Sequence, residues 1–157
     1  MKPEKSHGVV ALELTDSQVP LLEGSFGLTP EGKPTLLGVK CADCGRISFP
    51  RHGACPRCHS TRLDIQLLGQ IGTLINCTVA HVAPVGFDAP YVLGELQLDE
   101  GPFLLSQIHI NPELAHTLRP GAIMSLELRV LGSNELGLEI VGWSYSPLRT
   151  LMEDQNE

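Results

Sequence analysis

Four of the five cysteines fall into two pairs of one pattern. The first is Cys41-Ala42-Asp43-Cys44-Gly45 and the second, with ten residues between Cys44 and Cys55, is Cys55-Pro56-Arg57-Cys58-His59. Two Cys-x-x-Cys pairs this close deliver four thiolates to one tetrahedral Zn²⁺. Four protein ligands leave no open coordination position, so the expected metal is structural rather than catalytic. The two-residue spacing lets the backbone curl until both sulfurs of a pair face the ion, and Gly45 and the rigid Pro56 suit such tight knuckles. The intervening loop is shorter than the ~15–20 residues of the commonest ribbon spacing, which predicts a compact, rubredoxin-like zinc ribbon. Cys55 to His59 also fits the haem c attachment pattern Cys-x-x-Cys-His. That chemistry requires export, whereas the polar segment Met1–His7 is followed by no apolar stretch of the signal-peptide kind, and it leaves Cys41 and Cys44 without a role. His59 is expected in a loop, placed to donate a hydrogen bond to a zinc-bound sulfur.

The fifth cysteine, Cys77, is the one nucleophile candidate outside the pairs. It sits inside a strand-like run, where free cysteine acts as a small apolar residue. His81, four residues along the same strand, would lie ~13 Å away, too far for a thiolate–imidazole pair. The sequence carries no nucleophile elbow, phosphate loop or spaced carboxylate pair.

Charge is segregated. Residues 33–62 hold Lys33, Lys40, Arg46, Arg51, Arg57 and Arg62 against one acid, Asp43, for a net of +5; the other residues hold 17 acids and 5 bases, for −12. One reading is local compensation, because Zn²⁺ with four thiolates carries −2. The other is a cationic face for phosphates, those of coenzyme A or of nucleic acid. Aromatic residues at 4% and the scarcity of Arg and Lys in the expected strands argue against nucleic-acid binding. Charged residues at 18% and hydrophobic ones at 42% fit a folded, soluble chain. With apolar runs of only a few residues, nothing predicts a membrane span, and a reducing cytoplasm, where paired cysteines hold metal, is the expected compartment.

The elements that must position these residues follow from periodicity. Residues 1–33 read as a frayed start, a short helix and an extended arm. Thr15-Asp-Ser-Gln18 has the form of a capping box ahead of Val19, Leu21 and Leu22, and Gly24 to Lys33 is rich in glycine. Such an arm either lies on this protein or is ordered by a partner. Residues 34–68 form the ribbon, entered by Leu36–Lys40 and left by the alternating Leu63–Leu67. From Gly69 the period is two: Ile71–Val82, Tyr91–Leu98, Phe103–Ile110, Ile123–Val130 and Leu136–Trp143 are strand-length runs, with a helix from Asn111-Pro112 to Leu118. Five strands with a helix between the third and fourth is the order of an OB-fold barrel, here over 69–147, before an acidic tail at 148–157. Trp143 and Tyr145 share a face near the barrel's end. There they either close its bottom or, if exposed, anchor a protein interface.

Leu36-Leu-Gly-Val-Lys-Cys-Ala-Asp-Cys-Gly45, Ile47-Ser-Phe-Pro50 and Cys55-Pro-Arg-Cys58 together resemble the ribbon of a family of zinc-ribbon/OB-fold proteins encoded beside thiolases and related acyl-CoA enzymes. Gly72-Thr73, Gly86-Phe87, Pro90-Tyr91 and the turn at Asp99-Glu-Gly101 extend the likeness through the barrel, over residues 22–147. Arg51-His52 departs from the family, which often continues with a second proline after Pro50. The resemblance implies a non-catalytic subunit of a thiolase-like hetero-oligomer, whose partner supplies the nucleophilic cysteine and cleaves a 3-oxoacyl-CoA. In that reading Arg46, Arg51 and Arg57 contact coenzyme A phosphates, and Phe26, Phe87, Tyr91, Trp143 and Tyr145 face the partner. The arm Phe26–Lys33 resembles the subset serving thiolases of bulky aromatic acyl-CoA, benzoylsuccinyl-CoA thiolase among them. An acyl-CoA hydratase or aldolase as partner, and a free-standing nucleic-acid-binding module, are the alternatives.

Overall fold

The computed structural model of the chain describes residues 8–148, so the expectations for residues 1–7 and 149–157 lie outside the described residues. The short helix expected after Thr15 is not present among the described residues. Thr15 and Gln18 do make a reciprocal turn, Gln18 N–H donating to Thr15 O at 3.0 Å and Thr15 N–H to Gln18 Oε1 at 3.3 Å. The chain then extends into β1 (Gln18–Pro20), which runs parallel to the last strand with Gln18 opposite Glu139. Pro20 explains the difference: it has no N–H for a helical bond and suits a sheet edge. Leu21 N–H continues the extended path by donating to Val141 O at 2.7 Å. The arm lies on this chain rather than free. Its β2 (Phe26–Leu28) pairs antiparallel with the first ribbon strand, and Val10 bridges to Leu28 from the other side.

The ribbon sheet is built on β3 (Pro34–Cys41), flanked on one edge by β2 and β4 (Ile47–Ser48) and on the other by β5 (Leu63–Leu68). Except for Pro34 and Lys40, β3 is buried along its length. Gly38 permits this, since a Cβ there would lie 2.5 Å from Leu68 Cδ2 and 2.6 Å from the Ser48 carbonyl.

The remaining strands are β6 (Ile71–Ala80), β7 (Tyr91–Leu98), β8 (Phe103–Ile108), β9 (Ile123–Ser133) and β10 (Glu139–Pro147). Around the barrel the order is β6-β7-β8-β10-β9, and β9 pairs back with β6 to close it. The long first strand serves two neighbours, as an OB-fold requires. A two-turn 3₁₀ helix, Pro112–Thr117, separates the third and fourth barrel strands, with Asn111 Oδ1 accepting from Glu113 N–H at 3.0 Å. Alternation in β7 is strict, with Val92, Gly94, Leu96 and Leu98 facing in. The hairpin between β9 and β10 turns later than the glycine at 132 suggests. Asn134 Oδ1 gathers the amides of Leu136 and Leu138, a bulge at Ile140/Val141 resets the register, and pairing reaches Ser133.

Ribbon and barrel share one core. Leu36 and Leu68 are buried in the same cluster as Leu74, Leu96, Met124 and Tyr145. No helix among the described residues is long and apolar enough to cross a membrane.

Candidate metal centre

Each half of the centre is a knuckle of the same design. In the first, Cys41 N–H donates to Arg46 O and Gly45 N–H to Cys41 O, both at 2.9 Å. In the second, Cys55 N–H donates to Ser60 O at 2.8 Å and His59 N–H to Cys55 O at 2.9 Å. Gly45 (φ 74°) and His59 (φ 62°) therefore occupy the same left-handed position. Glycine takes that conformation freely. For a residue with a Cβ it costs about 1–2 kcal/mol. His59 is thus a turn residue, and no hydrogen bond from its ring to a cysteine sulfur is present.

The four sulfurs lie within 4.8 Å of one another, with Cys41–Cys58 and Cys44–Cys55 at 3.6 Å. Zinc–sulfur bonds of ~2.3 Å arranged tetrahedrally put neighbouring sulfurs ~3.8 Å apart, so the cluster has the size of a zinc shell. Backbone amides favour the thiolate at two of these sulfurs, while a third is opposed by its neighbours. The Cys44 amide draws the Cys41 pKa down, and the Cys58 amide brings Cys55 down to about 6. At Cys58 the Ser60 amide acts in the same direction, but burial and the three neighbouring cysteines outweigh it and push the thiol up to about 12. Three sulfurs crowding a fourth is the electrostatic condition that one divalent ion relieves. The centre is a structural zinc site. When bound, the ion ties the two knuckles together; it offers no open position for a substrate.

Asp43, between the first two ligands, braces the centre. It accepts from Ser60 and Arg62 across the second knuckle, with Arg62 Nε at 3.3 Å from Oδ2, and Arg62 first and Ser60 second hold its carboxyl below the usual range. Arg62 is thus committed within the ribbon. Arg46, Arg51 and Arg57 are exposed and make no ion pair with a carboxylate among the described residues. They do not converge. Arg46 lines a groove of about 450 Å³ with Phe49, Glu100 and Phe103, Arg51 lines a separate one of about 460 Å³ against Leu22 and Glu23, and Arg57 borders neither.

The aromatic residues divide. Phe26, Phe49 and Trp143 form an edge-to-face cluster, with ring centroids 6.0 Å apart for Phe26–Trp143 and 5.3 Å for Phe49–Trp143. One indole thereby joins arm, ribbon and barrel. Tyr145 is removed from the surface candidates: it is fully buried, and its hydroxyl donates to Gly69 O at 2.7 Å. Phe87 and Tyr91 are half-buried near the barrel rim. Cys77 packs against the core from β6. Two apolar side chains that sequence reading passes over, Phe103 and Leu105, stand 60% and 65% exposed on β8.

Residues 32–64 match the ChsH2 rubredoxin-like zinc ribbon domain, and residues 66–129 match the ChsH2 C-terminal OB-fold domain. A DUF35 domain-containing scaffold protein of Pyrococcus furiosus is 31% identical over 120 residues, 74% of this chain and 85% of that protein. One of Methanocaldococcus jannaschii is 38% identical over 76 residues, 46% of this chain, a match spanning about half (54%) of that protein. The benzoylsuccinyl-CoA thiolase subunit BbsA of Thauera aromatica is 23% identical over 112 residues, 71% of this chain and 76% of that subunit. Among solved structures, an Ltp2-ChsH2(DUF35) aldolase chain superposes with a TM-score of 0.55 at 25% identity, covering 72% of this chain and 84% of that one.

Proposed function

Since this chain belongs to the DUF35 family of ChsH2-type zinc-ribbon/OB-fold proteins, we propose that it is a non-catalytic scaffold subunit of a thiolase-type acyl-CoA enzyme. The observation that carries the proposal is the likeness to the BbsA thiolase subunit, which extends over most of both chains. The chemistry of the residues agrees. The zinc shell is closed by four cysteines, and Cys77 has no base beside it along its strand. The reacting thiol and the acid–base groups would therefore belong to the partner, which cleaves a 3-oxoacyl-CoA by passing the acyl group from its cysteine to coenzyme A. This chain would contribute the surface on which the partner is held. The exposed Arg51 and Arg57 would supply positive charge for coenzyme A phosphates, each from its own part of the surface, and the half-buried Phe87 and Tyr91 would border the partner.

A second reading keeps the scaffold and changes the partner to an aldolase, as the Ltp2-ChsH2(DUF35) aldolase likeness suggests. Co-expression with a thiolase-type subunit tests both. The thiolase reading predicts a co-purifying complex whose cleavage of 3-oxoacyl-CoA requires free coenzyme A. Cleavage that proceeds without coenzyme A favours the aldolase, and a chain that stays monomeric while the other subunit is fully active alone sinks both.

A further inference from the structure

The barrel is closed by five strands, yet one strand is paired along only one side. β8 runs antiparallel to β7 over Phe103–Ile108, whereas on its other side β10 meets it only at Tyr145–Ile108. Across the preceding turn Leu98 N–H donates to Pro102 O at 2.8 Å. This fixes the hydrogen-bonded pairs of the ladder at Leu96–Leu104, Gly94–Ser106 and Val92–Ile108, since such pairs alternate. The backbone groups of Phe103, Leu105 and Gln107 therefore point away from β7. On that side the single parallel bridge to Tyr145 takes up Gln107 and His109, His109 N–H donating to Tyr145 O at 2.7 Å, whereas among the described residues no strand pairs there with Phe103 or Leu105. Edges of this kind are ordinarily blunted by lysine, proline or a covering loop. This one instead displays Phe103 and Leu105, both more than half exposed.

The open edge leads into the groove of about 450 Å³ between the first knuckle and the β7–β8 turn, lined by Arg46, Phe49, Glu100 and Phe103. Both ends of its polar chemistry are unspent. Arg46 has no carboxylate partner, and Glu100 Oε2 is buried without one, although Oε1 accepts Gly69 N–H at 3.1 Å. We propose that the open edge of β8 takes an extended segment of the acyl-CoA partner subunit as an added strand. Its apolar side chains, at alternate positions, cover Phe103 and Leu105, and an acidic residue reaches Arg46. This inference rests on the scaffold reading above and specifies where the partner docks. Backbone pairing supplies the affinity in such augmentation and alternate side chains the specificity. A second copy of this chain fits the edge less well, because self-pairing there would bring together two copies of the basic window 33–62, net +5 from its side chains and +3 with the zinc thiolates counted, beside the same groove.

Leu105→Pro is the direct test. The N–H it removes points outward, so the ladder to β7 is untouched, and proline is tolerated on such an edge. Leu136→Lys, at a residue 83% exposed in the turn between β9 and β10, is the control. These two and Phe103→Lys are to be co-expressed with a thiolase-type subunit, with zinc content and Tm measured on the free chains. Leu105→Pro and Phe103→Lys should each weaken capture of the partner by about tenfold or more, and Leu136→Lys should not. Zinc content and Tm should match wild type in all three. Wild-type capture that Leu105→Pro and Phe103→Lys leave unchanged overturns the edge proposal while the scaffold reading stands. A wild-type chain that captures no partner overturns both, and dimers of this chain that Leu105→Pro makes monomeric assign the edge to a second copy instead.

Discussion

The ribbon and the barrel solve the same problem of stability in opposite ways. The barrel closes a hydrogen-bonded ring around Leu74, Leu96, Met124 and Tyr145, so its strands hold each other. Between residues 41 and 62 the ribbon has only the two-residue β4, and its buried side chains there are the cysteines Cys41 and Cys55. Metal replaces the hydrophobic core in that half. The division is not between domains, however, because Leu36 and Leu68 anchor the open end of the ribbon in the barrel's own core. A chain built this way should lose one tip when it loses zinc, and keep the rest.

Cys41→Ser or Cys58→Ser sets that difference at its largest. Structural zinc contributes about 10–16 kcal/mol of apparent binding energy that couples to folding. Either variant should lose zinc, and residues 42–62 should become open to protease, while β3, β5 and the barrel resist. Zinc analysis with limited proteolysis checks this; cleavage throughout the barrel would show the two halves to be one cooperative unit. Trp143, the sole tryptophan, reports on the seam between them. Its ring packs on Phe49 of the ribbon and Phe26 of the arm, so chelating the zinc should red-shift its fluorescence. Trp143→Ala should cost about 3–5 kcal/mol in denaturant unfolding.

Smaller changes sharpen the contrast. Tyr145→Phe removes the bond to Gly69 O and should cost about 1–2 kcal/mol of barrel stability while leaving zinc affinity alone. His59→Gly should do the reverse, relieving up to about 1 kcal/mol at the left-handed position and slowing zinc loss to a chelator. The smallest effect is one of pH in the barrel. At Glu127 burial acts to raise the carboxyl pKa, but the Ser146 hydroxyl at 2.7 Å and His109 at 3.1 Å outweigh it and hold the pKa below its ordinary value. A depressed carboxyl stabilises above its unfolded pKa, and that stability is lost as pH falls through the folded value. Glu127→Gln should therefore flatten the acid limb of the stability profile, by less than about 1 kcal/mol because the pair is half exposed.

The sites of strongest local chemistry were the most legible in the sequence. Two Cys-x-x-Cys pairs fix a metal through spacing alone, and the strict alternation of Tyr91–Leu98 fixes a half-buried strand. Thr15–Gln18 misled because a reciprocal turn looks the same whether a helix or a strand follows; Pro20 and the parallel pairing to β10 decided it. The shared core was invisible, since Leu36 and Leu68 sit within a ribbon whose own pattern gives no sign of what lies against it. Phe103-Leu104-Leu105 hid its edge for a related reason. With three apolar residues in a row, periodicity cannot separate the inward Leu104 from its outward neighbours, and only the ladder shows which backbone groups remain unpaired.

In the scaffold reading the zinc serves the shape of a docking surface and takes no part in a reaction. Native mass spectrometry of the co-expressed complex, with wild-type chain and with Cys58→Ser, tests it most directly. The wild-type assembly should carry one zinc per copy, and the variant should be a zinc-free chain that no longer holds its partner. An assembly that forms intact without zinc, but has lost its acyl-transfer activity, would contradict it.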